Sequence, residues 1–173
     1  MPDSSRPEYW GTQESLWVME RADEQSLSWC YWDTSNLGVL WHENKTEIQT
    51  AVSVLSRPYP LAVAGKDTKY SFDFNTKTFR LEFFPDKEIT APSLIFVPDH
   101  IYEGKLHIAS SEELSVLVSE TDRRVLEVVS VKEGTFQNTK KSWVTVGVSA
   151  EVISRNDSWL DFFLNFIPIL KKR

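Results

Sequence analysis

From Lys69 to Phe74 the chain alternates, with Tyr70, Phe72 and Phe74 on one side and Ser71 and Asp73 on the other. Thr78 to Phe84 repeats the pattern with Phe79, Leu81 and Phe83. A period of two sends successive side chains to opposite faces of a strand, so both stretches read as half-buried strands. The link between them, Asn75-Thr76-Lys77, is of hairpin length. Further strands are expected at Ser93–Val97, Lys105–Ala109, Leu114–Ser119, Val125–Val131 and Trp143–Ile153, the last long enough to divide in two. Seven or eight short strands over about 90 residues predict an antiparallel sandwich. Phe72, Phe79, Leu81, Ile95 and Val97 should face inward, because register is fixed wherever one face of a strand is buried.

The first third of the chain has a different texture. Thr12-Gln13-Glu14-Ser15 can open a helix with Thr12 as its N-cap. Leu16, Val18, Met19 and Ala22 follow at broadly helical spacing. Ser26 to Trp32 is short, apolar and aromatic-rich, which suits a buried strand. Asp33-Thr34-Ser35-Asn36 reads as a loop. Lys45 to Leu55 predicts a second helix, with Ile48, Ala51, Val52 and Leu55 on one face. Helix, strand, helix is the start of a parallel α/β unit, yet one such unit cannot hide both faces of its strand. The change of texture falls at Arg57-Pro58-Tyr59-Pro60, where two prolines forbid a continuing helix.

Charge sharpens that boundary. The 173 residues carry a formal net charge of -6. Residues 1–56 hold nine acidic and three basic side chains and so carry all of it, while residues 57–173 are neutral. The acidic balance argues against a nucleic-acid partner. At 41% hydrophobic and 13% aromatic the composition can build a core. One cysteine, Cys30, excludes an internal disulfide and a Cys-rich zinc site. No apolar run reaches the roughly 18 residues of a membrane-spanning helix. Met1-Pro2-Asp3-Ser4-Ser5 lacks the apolar stretch of a signal peptide. His42, His100 and His107 share no metal-type spacing, so neither a metal nor a cofactor is expected.

Two segments resemble a known family. Ser53-Val54-Leu55-Ser56-Arg57-Pro58-Tyr59-Pro60-Leu61-Ala62-Val63-Ala64-Gly65 is similar to the junction in endoglycoceramidase-like enzymes of glycoside hydrolase family 5. There, an Arg-Pro-Tyr-Pro segment ending in Ala-Gly leads from a (β/α)8 barrel into a C-terminal β-sandwich. Phe72-Asp73, Phe79-Arg80-Leu81, Ser93-Leu94-Ile95-Phe96-Val97-Pro98 and Tyr102-Glu103-Gly104 resemble that sandwich. Upstream, Ala22-Asp23 and Ser28-Trp29-Cys30-Tyr31-Trp32 look like the last helix-to-strand step of the barrel. The expectation is therefore a mainly β chain in three parts. Residues 1–56 would be a C-terminal remnant of the barrel, 57–155 the antiparallel β-sandwich, and 156–173 an apolar tail.

The resemblance implies a retaining glycosidase with two catalytic glutamates. No Asn-Glu-Pro, the setting of the family's acid/base, occurs in the chain. The one candidate for the nucleophile is Glu8, in Pro7-Glu8-Tyr9-Trp10-Gly11, although two aromatics stand between it and the glycine where the family has one. Its alternative is a solvated terminal glutamate. Retaining hydrolysis needs two carboxyls about 5–5.5 Å apart, so one candidate is not a mechanism. By resemblance Trp32 closes the eighth barrel strand and lines the sugar subsite, where a flat indole offers apolar, π-rich surface to the C–H face of a sugar. Its alternative is an ordinary core aromatic. Trp29 is a second substrate-binding candidate. On a strand Trp29 and Tyr31 would point one way and Cys30 and Trp32 the other, which leaves Trp29 open to a packing role.

The end of the chain stands apart. Trp159 to Leu170 is nearly all apolar and is followed by Lys171-Lys172-Arg173. It is too short to span a bilayer, and either packs on the sandwich or lies at a membrane interface. Asn44-Lys45-Thr46 and Asn156-Asp157-Ser158 are glycosylation sequons. The resemblance implies part of a secreted or lysosomal glycosidase that hydrolyses O-glycosyl bonds of glycolipids, of glycosylceramide or steryl glucoside type, and that is inactive without its acid/base, and the two sequons add support for a secretory route. Its expected partners are a glycolipid or carbohydrate substrate and the rest of the barrel. The competing readings are a non-catalytic carbohydrate- or lipid-binding module and a purely structural β-sandwich.

Overall fold

A computed structural model describes residues 7–31, 40, 41, 44, 46, 49–103, 106–130 and 141–148. Helix α1 spans Pro7–Glu24 and helix α2 spans Gln49–Leu55. Proline suits the first turn of a helix, where its missing N–H has no intrahelical partner to lose. Thr12, the expected cap, lies within the helix instead. Eight strands follow: β1 (Tyr59–Ala62), β2 (Gly65–Asp73), β3 (Thr78–Pro85), β4 (Ser93–Phe96), β5 (His107–Ser110), β6 (Leu114–Val118), β7 (Val125–Ser130) and β8 (Ser142–Gly147). A single helical turn, α3 (Asp99–Tyr102), interrupts them after β4.

The strands form two four-stranded antiparallel sheets, ordered β1-β4-β7-β6 and β2-β3-β8-β5. The predicted hairpin is present, with Phe72 opposite Phe79 and Asp73 opposite Thr78. Its turn is held by the Asp73 carboxylate, which accepts the amide N–H groups of Asn75 and Thr76 at 2.8 and 3.1 Å. This local bond is the reason aspartate favours turns. Between the sheets lies one core. Ile95, Leu126 and Val128 come from the first sheet, and Phe72, Phe79, Leu81, Val144 and Val146 from the second. All five residues expected to face inward are buried. Burying an aliphatic or aromatic side chain of this size contributes about 1.5–3 kcal/mol.

β1 was not foreseen, because Pro58 and Pro60 read as breakers. It pairs with one neighbour only, β4, and so sits at a sheet edge, where a proline without an N–H is tolerated. A shift of register between Pro60 and Ala62 absorbs the misfit.

The strand expected at Ser26–Trp32 is not formed over the described residues: 25 and 26 are a turn, and 27–31 have no regular structure. A buried parallel strand needs a hydrogen-bonded neighbour on each side, and none of the described strands runs beside it. Trp32, the residue expected to line the sugar subsite, lies outside the described residues, as do the Asp33–Asn36 loop, the sequon at Asn156 and the tail from Trp159 to Leu170. Among the described residues no helix is long and apolar enough to cross a membrane.

Candidate functional site

The end of α1 places the first wall of a groove. Leu27 N–H donates to Ala22 O at 2.8 Å and Ser26 N–H to Asp23 O at 3.0 Å. Ser26 itself adopts a left-handed conformation, φ 51°. This six-to-one and five-to-two pair of bonds is the Schellman arrangement that stops a helix, with serine where glycine is usual. The chain then turns along the sandwich, and Ser26 Oγ donates to Thr68 O of β2 at 3.4 Å. Leu27 and Trp29 emerge on the surface, with Trp29 40% exposed.

The opposite wall comes from the junction. Arg57 leads from α2 into β1 and is only 2% exposed. Its Nη2 donates to Phe72 O at 3.1 Å, and its guanidinium lies 5.1 Å from the centre of the Phe72 ring, a cation–π distance. The same Nη2 is 2.7 Å from Asp23 Oδ2, which is also buried. That contact is an ion pair by distance but not an aligned hydrogen bond, since Oδ2 receives no well-directed donor and Arg57 Nε and Nη1 have no acceptor. Burial pushes the Asp23 carboxyl up to about 7, with Arg57 opposing the rise. Burial likewise draws Arg57 down from its ordinary range, against the pull of Asp23 and Glu20. Both partners are thus moved towards neutrality, as expected when desolvation exceeds what one contact returns.

Between these walls lies an open groove of about 720 Å³, floored by Arg57, Tyr70 and Thr68 and flanked by Trp29, Tyr59 and Phe96. Tyr59 is 42% exposed and packs on Phe96 with ring centres 5.4 Å apart. An exposed indole and phenol beside hydroxyls of Ser26, Ser28 and Thr68 can stack on an apolar ring face and hydrogen-bond its substituents.

Of the residues singled out from sequence, the structure places one in this groove. Trp29 lines it. Glu8 falls in the first turn of α1. Cys30 is a free, exposed thiol. His100 and His107 are exposed, and among the described residues no three His, Cys, Asp or Glu side chains cluster as a metal site would require. Arg57, Tyr59 and Asp23 were not read as site residues. Arg57 and Tyr59 stood in the Arg-Pro-Tyr-Pro segment that marked the junction, but nothing in their spacing pointed to Asp23 as the partner.

The sandwich and its junction define the class. The glycoside hydrolase family 5 C-terminal domain matches residues 57–146, more than half of the chain, and the chain belongs to that family. Among solved structures, it is similar to endo-glycoceramidase II from Rhodococcus sp., at 26% identity and a TM-score of 0.61 over 86% of this chain and 31% of that one. The ganglioside GM3 complex of the same enzyme aligns at 28% identity and a TM-score of 0.61, over 80% of this chain and 29% of that one. Sterylglucosidase 1 from Cryptococcus neoformans shares the fold, with a TM-score of 0.64 at 15% identity over 80% and 24%. The chain therefore spans less than a third of the length of these relatives. No functionally curated protein matches it.

Proposed function

We propose that this chain supplies the last barrel step and the C-terminal sandwich of a family 5 glycosidase that hydrolyses O-glycosyl bonds of glycolipids in the secretory or lysosomal lumen. The observation that carries the reading is the family match across 57–146 together with 26% identity to an endo-glycoceramidase over 86% of the chain. Residues 1–56 would then be the remnant of the barrel. Exposed apolar side chains on and after α1, Trp17, Val18 and Leu27, are what a helix made to be covered by more barrel would show. Glu8 remains the candidate nucleophile, Trp32 the sugar-subsite tryptophan and Trp29 its neighbour. With at most one of two required carboxyls, the chain by itself does not turn over substrate.

The test is a hydrolysis assay of the purified chain on a fluorescent glycosylceramide, alongside a longer protein that includes an upstream Asn-Glu-Pro. Turnover is expected from the longer protein only. Turnover by the chain alone that disappears in Glu8→Gln would overturn the reading.

A second reading, a non-catalytic carbohydrate-binding module, is favoured by one observation: the exposed Trp29 and Tyr59 line the same open groove. Titration with lactose and with lactosylceramide micelles, followed by tryptophan fluorescence, separates the two. Saturable quenching that Trp29→Ala removes would support binding by this groove, and no response would leave it a packing surface.

A further inference from the structure

The end of the sandwich where β8 finishes carries an open cleft. Gly147, the last residue of β8, pairs with His107 at the start of β5. Leu106, next to it, lines a cleft of about 440 Å³ together with Val97, Pro98, Tyr102 and Val118. The lining grades from core to surface: Val97 and Tyr102 are buried, Leu106 is partly buried, and Val118 is 52% exposed. Val118 ends β6, which pairs with β7 alone and leaves its other side unpaired among the described strands. An apolar edge strand without lysine or proline is an open template for more chain. Tyr102 also buries its hydroxyl without a hydrogen-bond partner, where a buried hydroxyl ordinarily has one.

The sequence carries a segment that suits this cleft. Val148 packs against the core at the exit of β8, and the polar residues of the apolar stretch 159–170 are Asp161 and Asn165 alone. At a period of two, Leu160, Phe162, Leu164 and Phe166 share one side. The ten residues between, 149–158, can span more than about 30 Å when extended, so the stretch reaches the cleft easily. Tethering holds it there at an effective concentration on the order of millimolar. Charge agrees. Among the described residues, Asp99, Glu103, Glu120 and Asp122 stand at this end of the sandwich against Arg123 and Arg124, and Lys171-Lys172-Arg173 supplies the complement. A helix that lies on a membrane carries cations along its polar face, and residues 159–170 carry none.

We propose that residues 159–170 fold back onto this end of the sandwich, with their apolar side chains filling the cleft beside Val118 and Tyr102, so that the tail belongs to the sandwich and not to a membrane.

Chymotrypsin tests this on the full chain, because it cuts after aromatic residues and its rate follows how often the tail stands free. Val118→Asp puts a charge into the cleft at a half-exposed position. It should speed cleavage at Trp159, Phe162, Phe163 and Phe166 by about tenfold or more. Leu61→Asp, an exposed position on β1 at the opposite edge of the same sheet, should leave the rate unchanged. Equal rates in Val118→Asp and the unaltered chain, or the same gain in Leu61→Asp, would overturn the proposal. So would sedimentation of the unaltered chain with phosphatidylcholine–phosphatidylserine vesicles that Phe162→Ser abolishes, which would assign the tail to a membrane. If Val118→Asp does not fold, the chain carrying both Phe162→Ser and Phe166→Ser decides, since those positions lie outside the described strands. Hydrogen exchange at residues 99–103 and 114–118 should then quicken relative to β3, and unchanged exchange ends the reading.

Discussion

Gly65 ends the Arg57–Gly65 segment in a position no other residue can share. A Cβ there would lie 2.3 Å from Phe84 O and 2.9 Å from Phe83 Cδ2. The adjoining Ala64 N–H is held by Ser93 Oγ at 2.8 Å, so the backbone is pinned to β4 as well as to β3. Gly65→Ala should therefore cost about 1–3 kcal/mol, the usual penalty of overpacking. Urea unfolding monitored by circular dichroism reads it, and an unchanged midpoint would mean that β2 and β3 can separate there freely. Phe79, fully buried opposite Phe72, is the complementary case. Phe79→Ala leaves a cavity and should cost about 3–5 kcal/mol in the same experiment. Phe79 was legible from alternation alone, because burial follows a period. The buried Arg57 was not, since a charged side chain beside two prolines gives no pattern from which burial could be read.

At the scale of elements, the strands of the sandwich were legible because alternation and turn chemistry agree: Phe72, Phe79 and Leu81 lie inward, and Asp73 closes the hairpin. Where the two signals conflicted, sequence reasoning failed. Tyr59–Ala62 carries a strand-breaking proline, yet it pairs on one side only, at a sheet edge, where a residue without an N–H is tolerated. Ser26–Trp32 has the composition of a strand, but its first residue is committed to stopping α1, and Leu27 spends its N–H on Ala22. Composition reports what a segment could bury, not whether a neighbour is there to pair with it. The helix stop itself can be tested. A non-glycine residue in the left-handed region costs about 1–2 kcal/mol relative to its preferred conformations. Ser26→Gly should relieve part of that and slow exchange of the amides at 26 and 27, at the loss of the long Ser26–Thr68 bond. Faster exchange at those amides would show that the side-chain bond to β2 matters more than the backbone conformation.

For the molecule as a whole, burial is distributed unevenly. The sandwich core includes Phe79, Leu81, Ile95, Leu126, Val144 and Val146, none of them measurably exposed. The first part offers a satellite cluster of Leu40 and Ala51 with Tyr31, Trp41 and Leu55 against it, while Trp17, Val18, Leu27 and Trp29 face outward. Local stability follows buried apolar contact, so the two parts should not open together. Amides of α1 and α2 are expected to exchange at a lower opening free energy than those of β3 and β8, the two central strands of their sheet. Native-state hydrogen exchange at increasing urea would show it as two isotherms, with the helical one reached first. A single shared isotherm at neutral pH would mean that residues 7–31 already fold as one unit with the sandwich, and the exposed tryptophans would then be ordinary surface rather than a face awaiting the rest of a barrel.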